Sequence, residues 1–307
     1  GVWSAVIAVL LSSALGTAAL MARTHWRPRL NWDWRGLRVD TIFGLMYASQ
    51  ALSHSLKYAT LPLLGGAVYG GLAVGYLAWA HQVAALPGQL SHLVGRVNYP
   101  ALAYLQAQRD EFTRLAGASL KWTCKLLFPV FALLVGLAPQ VTEHIYGAKW
   151  LPAAGTLAIL SASMAISAAA GVLLPALFSL GRGNAGTAIS MGWACLTWVL
   201  AGVFAAAGIG FDAIAWAYLL ASAIALLATL YAMRYLGIMR LLGAMAMPTA
   251  SGMFLGVVLW LVGQALVHDL VTLVLVGGIG GIVTLAANMW PDRAQAPAFL
   301  KSVVGSR

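Results

Sequence analysis

The sequence predicts an all-α, polytopic membrane protein with nine transmembrane helices: a six-helix C-terminal bundle, one preceding helix and a terminal helix pair. Three observations carry that reading. Of 307 residues, 61% are hydrophobic and only 8% are charged, whereas soluble domains carry about 25% charged residues. The apolar residues gather into runs that reach the roughly 20 positions needed to cross a bilayer core. When those runs alternate across a membrane, the basic residues fall on one side, as the positive-inside bias requires. The net charge of +10 is then a topology signal and not a nucleic-acid footprint. Cys124 and Cys195 both lie inside apolar runs, which excludes a disulfide framework or a cysteine metal site.

The clearest span lies within residues 138–182. A polar lead-in with Glu143, His144 and Lys149 passes Trp150 and Pro152 into an uncharged run, Leu151 to Leu180, that stops at Gly181-Arg182. Trp150 is placed as an interfacial anchor, and Pro152 sits in a first turn, where its missing N–H is harmless.

Span one is Val2 to Met21, followed by a loop with five arginines and three tryptophans. Span two runs from about Thr41 to Leu64 and carries Gln50, His54 and Lys57. Span three, about Val68 to His92, is broken by Pro87 and carries His81, Gln82 and Gln89. The more polar segment Gly95–Lys121 is expected to continue span three and then to form an amphipathic helix along the cytoplasmic face. Span four is about Leu120 to Leu137, span six Ala185 to Ala207 and span seven Ala213 to Met233. Spans eight and nine, Ala246 to Val267 and Leu270 to Asn288, form an antiparallel pair about the His268-Asp269 turn. With the arginine-rich loop in the cytoplasm, sixteen Lys and Arg residues, Lys125 among them, lie on or border that side. Lys149 alone lies opposite, and Lys57 stays inside the membrane. The C-terminus is then cytoplasmic. The chain opens on Gly1 inside an apolar run and reads as the C-terminal part of a longer protein.

An ionisable residue at membrane depth costs at least about 2.5 kcal/mol and usually faces a cavity or a partner. Tyr47, Gln50, His54 and Lys57 fall on one helix face, and His81, Gln89, His92 and Arg96 on one face of the next span. Consecutive helices are usually neighbours, so the two stripes can line one cavity that has donors and positive charge but no carboxylate. Such a wall suits an anionic, hydroxyl-rich ligand such as a sugar pyrophosphate. The bland alternatives are a snorkelling Lys57, helix–helix hydrogen bonds from His54 and His81 and a cytoplasmic anchor at Arg96. Two stripes on consecutive spans favour the cavity. No span holds an Asp or Glu near its centre, as a proton- or sodium-coupled cation exporter would be expected to need. The GGIGG run at 277–281 is a packing surface and not a phosphate loop. The histidines show no metal-ligand spacing and no nucleophile–base pair stands out, so neither a catalytic residue nor a metal or cofactor is expected.

Four segments in order, "VGYLAWA" at 74–80, "YPALAYLQAQRDEFTRL" at 99–115, "HIYGAKWLPAAGTLAIL" at 144–160 and "LPALFSLGR" at 174–182, resemble a known family. They are similar to the C-terminal lobe of polysaccharide-type lipid-linked oligosaccharide flippases of the multidrug/oligosaccharidyl-lipid/polysaccharide exporter superfamily. The resemblance implies that residues 1–22 are the last helix of a preceding bundle, 23–40 a cytoplasmic linker, 41–240 the six-helix bundle, 241–290 an added helix pair and 291–307 a cytoplasmic tail. It implies translocation of an undecaprenyl-pyrophosphate-linked oligosaccharide across a bacterial inner membrane, for exopolysaccharide or O-antigen biosynthesis, by alternating access. The partners would be that lipid-linked glycan, membrane lipids and other polysaccharide assembly proteins, with no nucleic acid. Alternatives are a multidrug or small-molecule exporter of the same fold and a polytopic polysaccharide-biosynthesis enzyme.

Overall fold

The computed structural model describes residues 2–24, 34–234 and 238–292, and every element among them is helical. Most of the arginine-rich loop and the tail beyond residue 292 lie outside the described residues. The chain divides into two units, Gly1–Gly44 and Leu45–Arg307.

In the first unit, α1 (Val2–Arg23) is apolar on every side, with Val9, Leu10, Leu15 and Leu20 all exposed. A helix apolar all round belongs in lipid. Two of its hydroxyls bond within the helix, Ser12 to the Val9 carbonyl and Thr17 to that of Ser13, which lowers the cost of turning them to hydrocarbon.

The second unit is a helical bundle centred on α7 (Ala154–Ser179), which packs against α3 (Gly65–Ala85), α4 (Gly88–Tyr104), α5 (Arg109–Gly136), α8 (Gly183–Ala206) and α9 (Asp212–Ala232). This is the run singled out above as the clearest span. Ala and Ser dominate it, and Ala168, Ala169 and Ala170 are buried. Small side chains let neighbouring backbones approach on several sides at once. The helix ends where Gly181 turns to φ 72° and the Arg182 N–H bonds the Leu177 carbonyl, a glycine-terminated cap. A single turn, α6 (Ala138–Val141), follows α5, and Pro152 lies in a 3₁₀ lead-in, Ala148–Ala153, just before α7 begins.

Two boundaries differ from the expectation. The α2 helix (Trp34–Ala59) runs through a π-helical turn, Thr60–Leu64, into α3, and the chain reverses at Gly70 (φ 82°, ψ 174°) and not at residues 65–67. The reversal is shown by packing. Residues 65 and 77 would be about 18 Å apart in a continuous helix, yet a Cβ on Gly65 would lie 3.0 Å from Leu77 Cδ1. The second difference is α5, one helix of 28 residues that contains the expected amphipathic segment. Phe112, Ala116, Leu120 and Cys124 are buried along one continuous stripe at i, i+4 spacing. Arg109, Asp110 and Arg114 lie exposed on its other faces.

Eight helical stretches are long and apolar enough to cross a membrane, and one of them, Ala48–Ala85, folds back at Gly70. Nine crossing segments result among the described residues, in the order expected. Elements of equal parity meet at common ends: Tyr69 Oη donates to the Ile209 carbonyl at 2.8 Å, and Arg182 Nη1 to the Ala232 carbonyl at 3.3 Å.

The terminal pair, α10 (Ile238–Leu266) and α11 (Leu270–Met289), docks on α5. Glycines make the approach possible. A Cβ on Gly136 would fall 2.6 Å from the Gly256 carbonyl oxygen, and Cβ atoms on Gly280 and Gly281 would lie 3.1 Å from Leu259 and Leu133. The turn between them is a capping box: Asp269 accepts from the Thr272 N–H at 2.7 Å, and the Asp269 N–H donates to Thr272 Oγ1 at 3.2 Å. Lys125, expected at a cytoplasmic border, is instead 1% exposed, and its ammonium donates to the Asn288 carbonyl. That carbonyl lies in the last turn of α11, where cations are favoured. The Asn288 Oδ1 accepts from Ser251 Oγ at 2.8 Å.

Candidate functional site

The site is built where α2 meets α8 and α9. Ser49 Oγ donates to Thr187 Oγ1 at 3.2 Å, Ser53 Oγ approaches Met191 Sδ at 3.0 Å, and Trp198 Nε1 donates to the Leu56 carbonyl at 2.8 Å. The partners rise together in number, so α2 and α8 run parallel, as spans of equal parity must. Pro62 brings no N–H to the π-helical turn, and such turns disturb the regular carbonyl pairing. The Leu56 carbonyl meets Trp198. The Lys57 carbonyl accepts from Tyr218 Oη at 2.6 Å and also from Thr60 Oγ1.

Lys57 itself is half-buried. Its ammonium lies 3.4 Å from the centroid of the Trp193 ring. Trp193 is five positions before Trp198, so the side chain reaches back along α8 toward the end of Thr187 rather than outward past Trp198. That direction is the one a helical side chain naturally takes, toward its own N-terminus.

His81 comes to the same place from α3. Its ring meets Tyr58 edge-on at 5.2 Å and Tyr218 at 5.8 Å. Tyr218 thus touches both stripes, bonding the Lys57 backbone and packing on His81. His54, one turn before Lys57, is exposed, and Gln50 is half-buried. Gln89 is exposed and lies beyond a break at Leu86-Pro87, where Gln89 and Leu90 donate to the Leu86 and Pro87 carbonyls in tight i, i+3 bonds. The spacing from His81 to Gln89 therefore does not run along one unbroken helix. The backbones of His92 and Arg96 are helical in α4, while their side chains, like that of Tyr47, lie outside the described residues.

Trp193, Tyr218 and Trp198 were not singled out from the sequence. A signal existed, because Trp193 stands near the middle of its span and not at an interface where tryptophans usually anchor. Trp150, expected to stand as such an anchor, stacks on Trp79 at 5.0 Å and 20°. Tyr146 and Tyr76 close around them, and Phe211 packs against Tyr76.

Chemically, Lys57 places a cation against Trp193 of α8, while its backbone carbonyl meets the Tyr218 phenol, on which the His81 imidazole packs, all in a bundle of apolar helices. The ammonium can hold an anion by charge-assisted hydrogen bonds. Among the described residues the salt bridge found is the exposed Arg114–Glu111 pair, and no carboxylate lies within ion-pair distance of Lys57.

Comparison with known proteins agrees with this architecture. A solved structure titled "Lipid II flippase MurJ, inward closed conformation" superposes with a TM-score of 0.65 at 13% identity, over 90% of this chain and 59% of that one. At that identity the likeness is one of fold, and the chain spans about 59% of the length of the structure it matches. No curated protein matches the chain. The family described as Polysaccharide biosynthesis protein matches residues 1–155, which include α1, both polar stripes and all of α5. The helical membrane fold and the family match lead to one conclusion: the chain belongs to the Polysaccharide biosynthesis protein family.

Proposed function

We propose that this chain carries the substrate-binding lobe of a transporter, not an enzyme, that moves an undecaprenyl-diphosphate-linked oligosaccharide from the cytoplasmic to the outer leaflet of a bacterial inner membrane. The observation that supports it best is the meeting of Lys57 and His81 around Tyr218, inside a bundle that shares its fold with a lipid II flippase. The diphosphate would sit against Lys57 and His81, with Gln50, His54, Gln89, His92 and Arg96 lining the path of the head group. The lipid tail would remain in the bilayer. Residues 41–240 would form the moving bundle, 241–290 its appended pair, 1–22 a helix of the opposing bundle, 23–40 the linker between them and 291–307 a cytoplasmic tail. Alternating access between two such lobes would present the head group first to one side and then to the other. The product would serve exopolysaccharide or O-antigen assembly, alongside other assembly proteins.

The test is complementation with the natural gene in a bacterial host that lacks its own flippase. Surface polysaccharide is scored for wild type and Lys57→Ala at equal membrane abundance. Restoration by wild type and loss in the variant is the expected result. If wild type restores nothing yet exports dyes or drugs, the protein is a multidrug exporter and the proposal is wrong. If the variant matches wild type, Lys57 does not contact the substrate.

A further inference from the structure

Resting on the anion-binding reading of Lys57, we infer that Trp193 is a positioning residue that holds the Lys57 ammonium and must release it when the diphosphate binds.

Four features support this. First, the ammonium stands 3.4 Å from the ring centroid, within the roughly 6 Å over which an indole face attracts a cation. Second, the ring cannot drift from the lysine. Ser49–Thr187 and Ser53–Met191 contacts lock α2 to α8 on one side of Trp193, and the Trp198–Leu56 hydrogen bond locks them on the other. Third, the base of the lysine is equally fixed, its carbonyl being held by Tyr218 and Thr60. Only the alkyl arm is left to move. Fourth, the ring replaces a carboxylate. Among the described residues no Asp or Glu lies within ion-pair distance of Lys57, so the ring acts as its electrostatic partner.

That choice has a chemical consequence. A carboxylate beside Lys57 would repel a diphosphate and would remain as a buried anion after the lysine turned away. A neutral indole holds the ammonium without cancelling the positive field of the site. A diphosphate brings two or more full charges and several acceptor oxygens, so it wins the ammonium in charge-assisted hydrogen bonds. The cation–π contact is lost in the exchange, and the observed affinity is lowered by its strength. For a partly desolvated pair this corresponds to about 5- to 30-fold in dissociation constant. Trp193 thereby favours a polyanionic head group over a weak, singly charged one, because only the former repays the exchange.

The test uses the natural protein in nanodiscs of zwitterionic phosphatidylcholine, titrated with inorganic pyrophosphate by calorimetry. Trp193→Leu is expected to bind pyrophosphate about 5- to 30-fold more tightly than wild type, with Trp193→Phe between the two. A merely structural tryptophan would give the opposite sign, since its loss would loosen the site. A second variant guards against misfolding: tetrafluorotryptophan at position 193 keeps the ring's shape and removes its negative face, and it must tighten binding in the same direction. Lys57→Ala is expected to abolish the gain. If neither Trp193→Leu nor the fluorinated ring tightens binding while Lys57→Ala weakens it, the holding role is overturned and the anion site stands. If Lys57→Ala binds as wild type does, or if no form binds pyrophosphate, the anion-site reading itself fails and this inference falls with it.

Discussion

Replacing Gly136 with alanine tests how the terminal helix pair is held. A Cβ at this position would lie 2.6 Å from the Gly256 carbonyl oxygen, 3.0 Å from Leu259 Cβ and 3.3 Å from the Trp260 nitrogen. Close C···O contacts between packed helices run at about 3.3–3.6 Å, so α5 and α10 would have to part by roughly 0.7 Å or more. The obstructing atoms are backbone or Cβ and cannot swing aside. Overpacking of this kind typically costs about 1–3 kcal/mol. Two neighbouring glycines act as controls on the same interface. A Cβ on Gly252 meets its nearest atom at 3.4 Å and one on Gly256 at 3.7 Å, which is ordinary contact. Alanine improves intrinsic helix propensity by up to about 1 kcal/mol at all three positions, so differences among the variants isolate the clash. Steric trapping in detergent micelles, which reports unfolding free energy in a membrane protein, should place Gly136→Ala about 1–3 kcal/mol below Gly256→Ala. Equal stability would refute the close approach of the two helices at this crossing.

Other expectations follow from single contacts. Tyr218→Phe removes the hydroxyl that donates to the Lys57 carbonyl while Thr60 remains bonded to it, so the loss should be about 0.5–1.5 kcal/mol; a loss above about 3 kcal/mol in the same assay would show that more than one hydrogen bond is involved. Asp269 is held below its ordinary 3.8, first by the Thr272 N–H and then by the Thr272 hydroxyl. A depressed folded value means that its stabilisation is complete above pH 3.8 and fades as pH falls through the folded value. Protection of the 268–272 amides, taken relative to their intrinsic exchange rate at each pH, should therefore fall in acid for wild type, stay flat with pH for Asp269→Asn, which still caps, and be low throughout for Asp269→Ala. The same acid dependence in Asp269→Asn would assign it to another group.

Much of this architecture was legible in the sequence. The Trp150–Arg182 span, the break at Pro87 and the His268-Asp269 turn each carry local chemistry that permits one outcome. The Gly70 reversal was not legible because two glycine pairs, Gly65-Gly66 and Gly70-Gly71, compete within seven residues. Gly65 needs no side chain because Leu77 and Ile214 press against it, whereas Gly70 supplies the positive φ. Only tertiary packing separates those roles. The α5 helix was cut short for a similar reason: charges on its exposed face read as an interfacial segment, and the buried stripe beneath them is recognised only when followed through Cys124. At the candidate site the ionisable residues stand out in apolar runs, but their aromatic partners do not. A tryptophan within a span has the same letter as one anchoring it.

The placement of Lys125 also sets an order of events during biogenesis. Its carbonyl acceptor at Asn288 lies 163 positions further along the chain. At synthesis rates of about 5–20 residues per second, α5 is made roughly 10–30 s before that acceptor exists. An ammonium inside a bilayer costs at least about 2.5 kcal/mol, and in that interval it has the Trp122 ring, 5.7 Å away in the finished fold, close by in sequence. Insertion of α11 therefore adds an acceptor to a charge introduced five spans earlier. A chain stopped at residue 267 should leave Lys125 open to an amine-directed reagent that the complete chain resists; equal protection in both would show that assembly does not wait for the final pair.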